Sequence, residues 1–240
     1  MIAGEIKIGA SPIPHAVILK SVEPMLEKEG VKLKIIEFTD YVTPNLALAD
    51  KSLDANFFQH LPYLEKMNKD RHLKLVSVAK IHVEPLGVYS KKIKKLDELK
   101  KGDTIAIPSD PTNGARALIL LHDNGVITLK DPKNLTATLR DIKKNPKKLK
   151  IKTADAPLLP KMLDDVACAV INGNFAMQNG LSSKDAIARE DSRSPYANIL
   201  VVRAGDENKP DIIKLKKALQ SPETKKFIED TYHGEIVPAF

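Results

Sequence analysis

The chain has 240 residues, 42% hydrophobic and 29% charged, with a net charge of +7 and a pI near 9.2. That is the mixture of a folded globular protein, and no run approaches the roughly 18 consecutive apolar residues of a membrane-crossing helix. The lysines sit in "SKKIKKLDELKKG" and "DIKKNPKKLKIK", among apolar positions and acids but without aromatic platforms for base stacking, so no nucleic-acid partner is expected. The single cysteine, Cys168 in "VACAVIN", has no internal disulfide partner and reads as a packed core thiol.

In chain order, "EIKIGA" (5–10) is a first strand and "IPHAVILKSVEPMLEKEG" a helix closing at Gly30. "KLKIIEF" (32–38) is a second strand, and "TPNLALAD" starts a helix with Thr43 as N-cap and Pro44 at the first helical position. "DANFF" (54–58) is a short third strand before a helix from Pro62. "LKLVSVAKIHVEPLGVYS" (73–90) exceeds an ordinary strand and is read as two extended segments joined near "HVEP". The same grammar restarts with strand "DTIAIP" (103–108), helix "DPTNGARALILLHDNG", strands "KLKIKTA" (148–154) and "ACAVIN" (167–172), and helical "APLLPKMLDD" between those two strands. "NILVVRAG" (198–205) is extended. Two helices close the chain, the last with Ser221 as N-cap, Pro222 at its first position and Gly234 as terminator.

Strands alternating with helices predict an α/β fold with largely parallel pairing. The economical architecture is two lobes joined by extended crossovers, with a small-ligand cleft between them. The expected boundaries are 1–83 plus 203–240 for lobe 1 and 84–202 for lobe 2, with hinge strands near 81–87 and 197–203.

Several constellations point to ligand binding. In "ANFFQHLPYL", strand alternation puts Phe58 and His60 on one face, and Tyr63 follows in the first helical turn. Together they wall an apolar slot with a polar edge, or else form a core cluster in which His60 caps the helix. "PSDPTNGARAL" brings a strand end into a helix start, where Arg116 pairs with a carboxylate or lies on the surface. Asn172 and Asn198 stand at strand boundaries, and such amides accept from an ammonium, donate to a carboxylate, or simply serve as turn residues. Glu84 at "HVEPLG" is an acidic partner for a ligand ammonium or a solvated hinge residue, and Tyr41 in "FTDYVTPN" reaches the cleft mouth or staples the next helix. Nucleophile-elbow, metalloprotease and dinucleotide signatures are absent.

"FTDYVTPNLALADKSLDANFFQHLPYLEKMNKD", "VEPLGVYSKKIKKLDELKKGDTIAIPSDPTNGARALILL", "AVINGNFA" and "SPYANILVVR" closely resemble the NlpA/MetQ family of methionine-binding lipoproteins, substrate-binding components of methionine ABC importers. The likeness runs from "IKIGASPIPHA" to "HGEIVPAF". It implies a two-lobed, type II-like periplasmic-binding-protein fold, with mixed sheets in each lobe, that closes around a free amino acid and passes it to a membrane permease. It further implies that Tyr41, Phe58, His60 and Tyr63 surround the thioether, that Arg116 clamps the α-carboxylate, and that Asn172, Asn198 and Glu84 hold the polar end. The expected protein is a monomer without cofactor or catalytic residues, periplasmic or lipid-anchored to the cell membrane. "MIAGEIKIGA" has neither the basic nor the apolar region of a signal peptide, and the lipid-bearing cysteine is missing, so Met1 is expected to replace the export segment in a recombinant form. Three alternatives stand beside this reading: an enzyme on the same scaffold using Asp110 or Glu84, a ligand-sensing module of a DNA-binding regulator, and metal uptake through His60, His82 and Glu84.

Overall fold

The computed structural model describes residues 4–191 and 194–240. The chain divides into two compact units: the first takes residues up to Glu84 and from 192 onward, the second Pro85–Asp191.

The first unit opens with β1 (Glu5–Ala10), α1 (Val17–Lys28), β2 (Lys32–Glu37), α2 (Thr43–Ala49), β3 (Ala55–His60), α3 (Leu61–Arg71) and β4 (Leu75–Val83). The second contains β5 (Gly87–Tyr89), β6 (Thr104–Pro108), α4 (Pro111–Asp123), β7 (Thr128–Leu129), β8 (Ile142–Lys144), β9 (Lys150–Ala154), β10 (Cys168–Ile171), α5 (Gly173–Gln178) and β11 (Ala186–Arg189). The chain then returns to the first unit as β12 (Ala197–Arg203), α6 (Pro210–Leu219), α7 (Pro222–Tyr232) and β13 (Val237–Pro238).

The first unit's sheet has the order β13-β4-β12-β3-β1-β2. β1 runs parallel to β2 and β3, whereas β12 is antiparallel to both β3 and β4. The second unit's main sheet is β11-β5-β10-β6-β9, with β6 parallel to β9 and β10, and β5 antiparallel to β10 and β11. Both sheets are therefore mixed, as the resemblance implies, whereas the largely parallel pairing expected from strand–helix alternation is limited to β1–β2, β1–β3, β6–β9 and β6–β10.

Local chemistry explains most element ends. Asp110 caps α4 by accepting from the Asn113 N–H, and Ser221 caps α7 by accepting from the Thr224 N–H. α7 ends with His233 and Gly234 in the left-handed region, the second at φ +88, which glycine adopts without strain.

Five further expectations are corrected. α1 starts at Val17 rather than near Ile13, because Pro12–Ala16 winds irregularly and Ile13 is extended (φ −133, ψ 131). Thr43 is the first residue of α2, not its cap; Asp40 Oδ1 instead accepts from the Val42 and Thr43 N–H groups at 2.7 and 2.6 Å. Segment 156–165 holds a short 3-10 stretch, Ala156–Met162, whose Pro157 and Pro160 supply no N–H for a longer helix. Residues 197–203, expected as a hinge strand at the edge of lobe 2, form β12 in the interior of the first unit's sheet. The second unit accordingly ends near 191 rather than 202.

β3 is buried along its whole length, so its two faces carry different packing. On one face an amide cluster ties it to α2: Asn45 Nδ2 donates to Gln59 Oε1 at 2.8 Å, and Asn45 Oδ1 accepts from Asn56 and Gln59 at 2.9 and 2.7 Å. Replacing Asn45 with leucine removes three buried hydrogen bonds and leaves Gln59 Oε1 without its donor, although Asn56 keeps its bond to the Pro44 carbonyl and Gln59 its bond to Asn56 Oδ1. We expect a loss of roughly 1–3 kcal/mol, measured by urea denaturation, and an unchanged midpoint would show the cluster to be energetically idle.

In the second unit, Ile105, Ile107, Leu118, Leu121, Val170 and Cys168 share one apolar core. Burial pushes the Cys168 thiol up to about 12, with Asp103 adding to the effect, so this cysteine is inert. Lys150 and Lys152 stand exposed on β9, the edge strand, where their charge discourages pairing with another chain.

Candidate functional site

Two groups of predicted residues converge within the first unit. The alternation of β3 sends Phe58 and His60 toward Tyr63 at the start of α3, and Tyr41 comes over from the segment before α2. Ring centroids lie 6.1 Å apart for Tyr41–Phe58, 6.0 Å for Tyr41–Tyr63, 6.1 Å for Phe58–Tyr63 and 6.3 Å for His60–Tyr63. The Tyr63 hydroxyl donates to the Tyr41 carbonyl at 2.6 Å and fixes both. His60 does cap the helix, since its Nδ1 accepts the Tyr63 N–H at 3.2 Å. With Nδ1 accepting, the neutral ring carries its proton on Nε2. Met67, one turn along α3 from Tyr63, packs against Phe58 and Tyr63. The aromatic group thus already holds one thioether, the contact chemistry that sulfur and ring edges favour.

The second group is polar and buried. Glu84 Oε1 lies 2.7 Å from His82 Nε2 and 3.0 Å from His15 Nε2, and the same His15 nitrogen lies 2.8 Å from Asn198 Oδ1. Both imidazoles are fully buried, and Glu84 and Asn198 are each 5% exposed. Glu84 is therefore not a solvated hinge residue. Desolvation lowers His15 to about 4, against the raising influence of Glu84, and lowers His82 to about 3, so both rings are neutral at pH 7. As neutral rings they donate from Nε2.

His15, His82 and Glu84 also have the donor types of a metal site. The metal alternative had named His60, His82 and Glu84; His60 instead caps α3 and His15 takes its place. A metal on the two Nε2 atoms would require both Nδ1 atoms to carry protons. Neither Nδ1 has a hydrogen-bond partner among the described residues, so each is an orphan either way, as acceptor in the hydrogen-bonded cluster or as donor beneath a metal. The Nε2 distances of 2.7 and 3.0 Å to Glu84 Oε1 are those of a hydrogen-bonded cluster.

In the second unit, Arg116 lies on the opening half of α4 and is 3% exposed. Its Nε donates to Glu190 Oε1 at 2.8 Å and its Nη2 to Glu190 Oε2 at 2.7 Å, a two-point ion pair. Asn113, three residues earlier on the same helix face, accepts from Asn172 Nδ2 at 3.1 Å. Asn172 Oδ1 is buried with no partner among the described residues. Asp110, a candidate carboxylate for the enzyme alternative, is taken up in capping α4, and burial raises its pKa above the ordinary carboxylate value.

Sequence reasoning missed His15, Asn113 and Glu190. Asn113 was within reach, since it stands three residues before Arg116 and so shares its helix face. Nothing local marked the other two.

The chain is 48% identical over 214 residues to the D-methionine-binding lipoprotein MetQ of Salmonella typhi, covering 88% of this chain and 79% of that protein. It is 43% identical over 240 residues to the methionine-binding lipoprotein MetQ of Bacillus subtilis, covering 98% of this chain and 88% of the relative. Among solved structures, a nutrient binding protein from Burkholderia cenocepacia bound to methionine superposes with a TM-score of 0.95 at 48% identity, over 98% of this chain and 100% of that one. The model of the family described as NlpA lipoprotein matches residues 6–240, and the chain belongs to that family.

Proposed function

We propose that this protein is an extracytoplasmic solute-binding protein that captures methionine and delivers it to the permease of an ABC importer. It binds and releases its ligand without chemistry, acts as a monomer, and works in the periplasm or tethered by lipid to the cell membrane. No helix among the described residues is long and apolar enough to cross a membrane.

The observation that carries this reading is the buried Asn172 Oδ1, an acceptor to which the described chain supplies no donor. An amino acid's ammonium is such a donor, and Arg116 on the neighbouring helix suits the α-carboxylate. His15 engages Asn198 Oδ1, which leaves the Asn198 amide to act as a donor toward the same carboxylate, and Glu84 adds negative charge for the ammonium. Tyr41, Phe58, His60 and Tyr63 take the side chain, each sulfur–ring contact contributing roughly 0.3–1.5 kcal/mol. Methionine in particular rests on the relatives, one of which is described as bound to it.

Denaturing natively purified protein and identifying the released compounds by mass spectrometry tests the reading. Methionine is the expected product, with calorimetric titration of both enantiomers and a methionine-containing dipeptide setting the preference. Release of an unrelated solute, with no heat from any methionine compound, would overturn it.

A further inference from the structure

We propose that Glu190 is a positioning residue for carboxylate recognition by Arg116. The inference rests on the methionine reading above, because it assigns how that site holds its carboxylate end.

A guanidinium on a long side chain recognises a carboxylate in two-point fashion only when its plane is fixed. Glu190 fixes that plane by occupying Nε and Nη2 together, at 2.8 and 2.7 Å. The carboxylate is itself anchored to backbone. Glu190 Oε2 accepts the Leu86 N–H at 3.1 Å, and the Glu190 N–H donates to the Leu86 carbonyl at 2.9 Å. The guanidinium of α4 is thereby tied, through one acid, to the segment just before β5 and to the residue following β11.

The charge matters as well as the geometry. The Arg116 and Glu190 side chains are 4% and 15% exposed, so an unpaired guanidinium here would lack most of its hydration. Pairing keeps the arginine oriented and in place before the ligand arrives. A site whose supporting partner is missing is present but loose, and binding falls accordingly.

The test is Glu190→Gln, which keeps the shape and one acceptor but removes the charge and the two-point pair. Glu190→Asp, which keeps the charge but is too short for both bonds, serves as the second variant should the first fail to fold. Methionine and methionine amide are titrated against wild type and variant, with melting temperature as the check on folding. We expect the variant to bind methionine at least about tenfold more weakly. Methionine amide, which has no carboxylate for Arg116, is expected to change by no more than roughly twofold. Equal weakening of both ligands would mean that Glu190 merely supports the fold, unchanged methionine binding that recognition does not depend on it, and tighter binding that it competes with the ligand; any of these overturns the proposal alone. Wild-type protein that binds no methionine overturns the functional reading, and this proposal with it.

Discussion

Replacing Arg116 with alanine is expected to weaken methionine binding by about 2–5 kcal/mol, hence at least roughly tenfold. The size follows from burial. Arg116 is 3% exposed, and a carboxylate brought to such a place without its cation keeps the desolvation cost and loses the pairing. The same substitution removes both donors from Glu190, so the melting temperature should fall as well. Arg116→Lys separates the two effects, because lysine restores charge without the planar fork and should recover stability better than affinity. Calorimetric titration of the folded variants decides the matter. Wild-type affinity in Arg116→Ala would remove Arg116 from the site.

The second large effect is on acid stability. His15 titrates near 4 and His82 near 3 in the folded protein, against 6.5 when exposed. Between those values the unfolded chain binds protons that the folded chain refuses, so falling pH favours unfolding. The stability at issue is fully present above pH 6.5 and is lost as pH drops toward 4 and below. Each histidine contributes at most about 1.4 kcal/mol per pH unit, so the pair amounts to several kcal/mol across the window. Glu84 Oε1 faces both rings and Asn198 Oδ1 faces His15, and neither lifts the rings back to their ordinary values. Denaturant midpoints measured from pH 7 to 4 should therefore fall steeply, and less steeply in His15→Gln/His82→Gln, where no ring is left to protonate. Parallel slopes for wild type and the double variant would show that other groups carry the acid sensitivity.

How much of this was legible depends on how local the signal is. The strand and first helical turn around Phe58, His60 and Tyr63 are written in adjacent residues, so alternation and Pro62 place them correctly. The capping role of His60 belongs to the same local grammar. Asp40 as the anchor of α2 was obscured because Thr43, a common capping residue, stood nearer the proline. β7, β8 and β11 have two to four residues each, and α5 has six, too few for any period to show. The polar candidates depend on distant partners. His15 meets Asn198 across 183 positions, and Arg116 meets Glu190 across 74. Those pairs exist because the sheets bring them together, and no window on one chain contains both members. The placement of residues 197–203 failed for a related reason: an apolar extended run reads alike whether it links two units or fills the middle of one sheet.

That middle strand also governs the order in which the chain can be assembled. β3 and β4 are separated in the sequence by α3 alone, yet they do not pair, because β12 lies between them. A nascent chain holding only the first 84 residues therefore has two strand edges with no partner, while residues 85–191 form an uninterrupted stretch able to mature first. The first unit remains open to unfolding, chaperones and threading through a narrow passage until residues 197–203 arrive to join its halves.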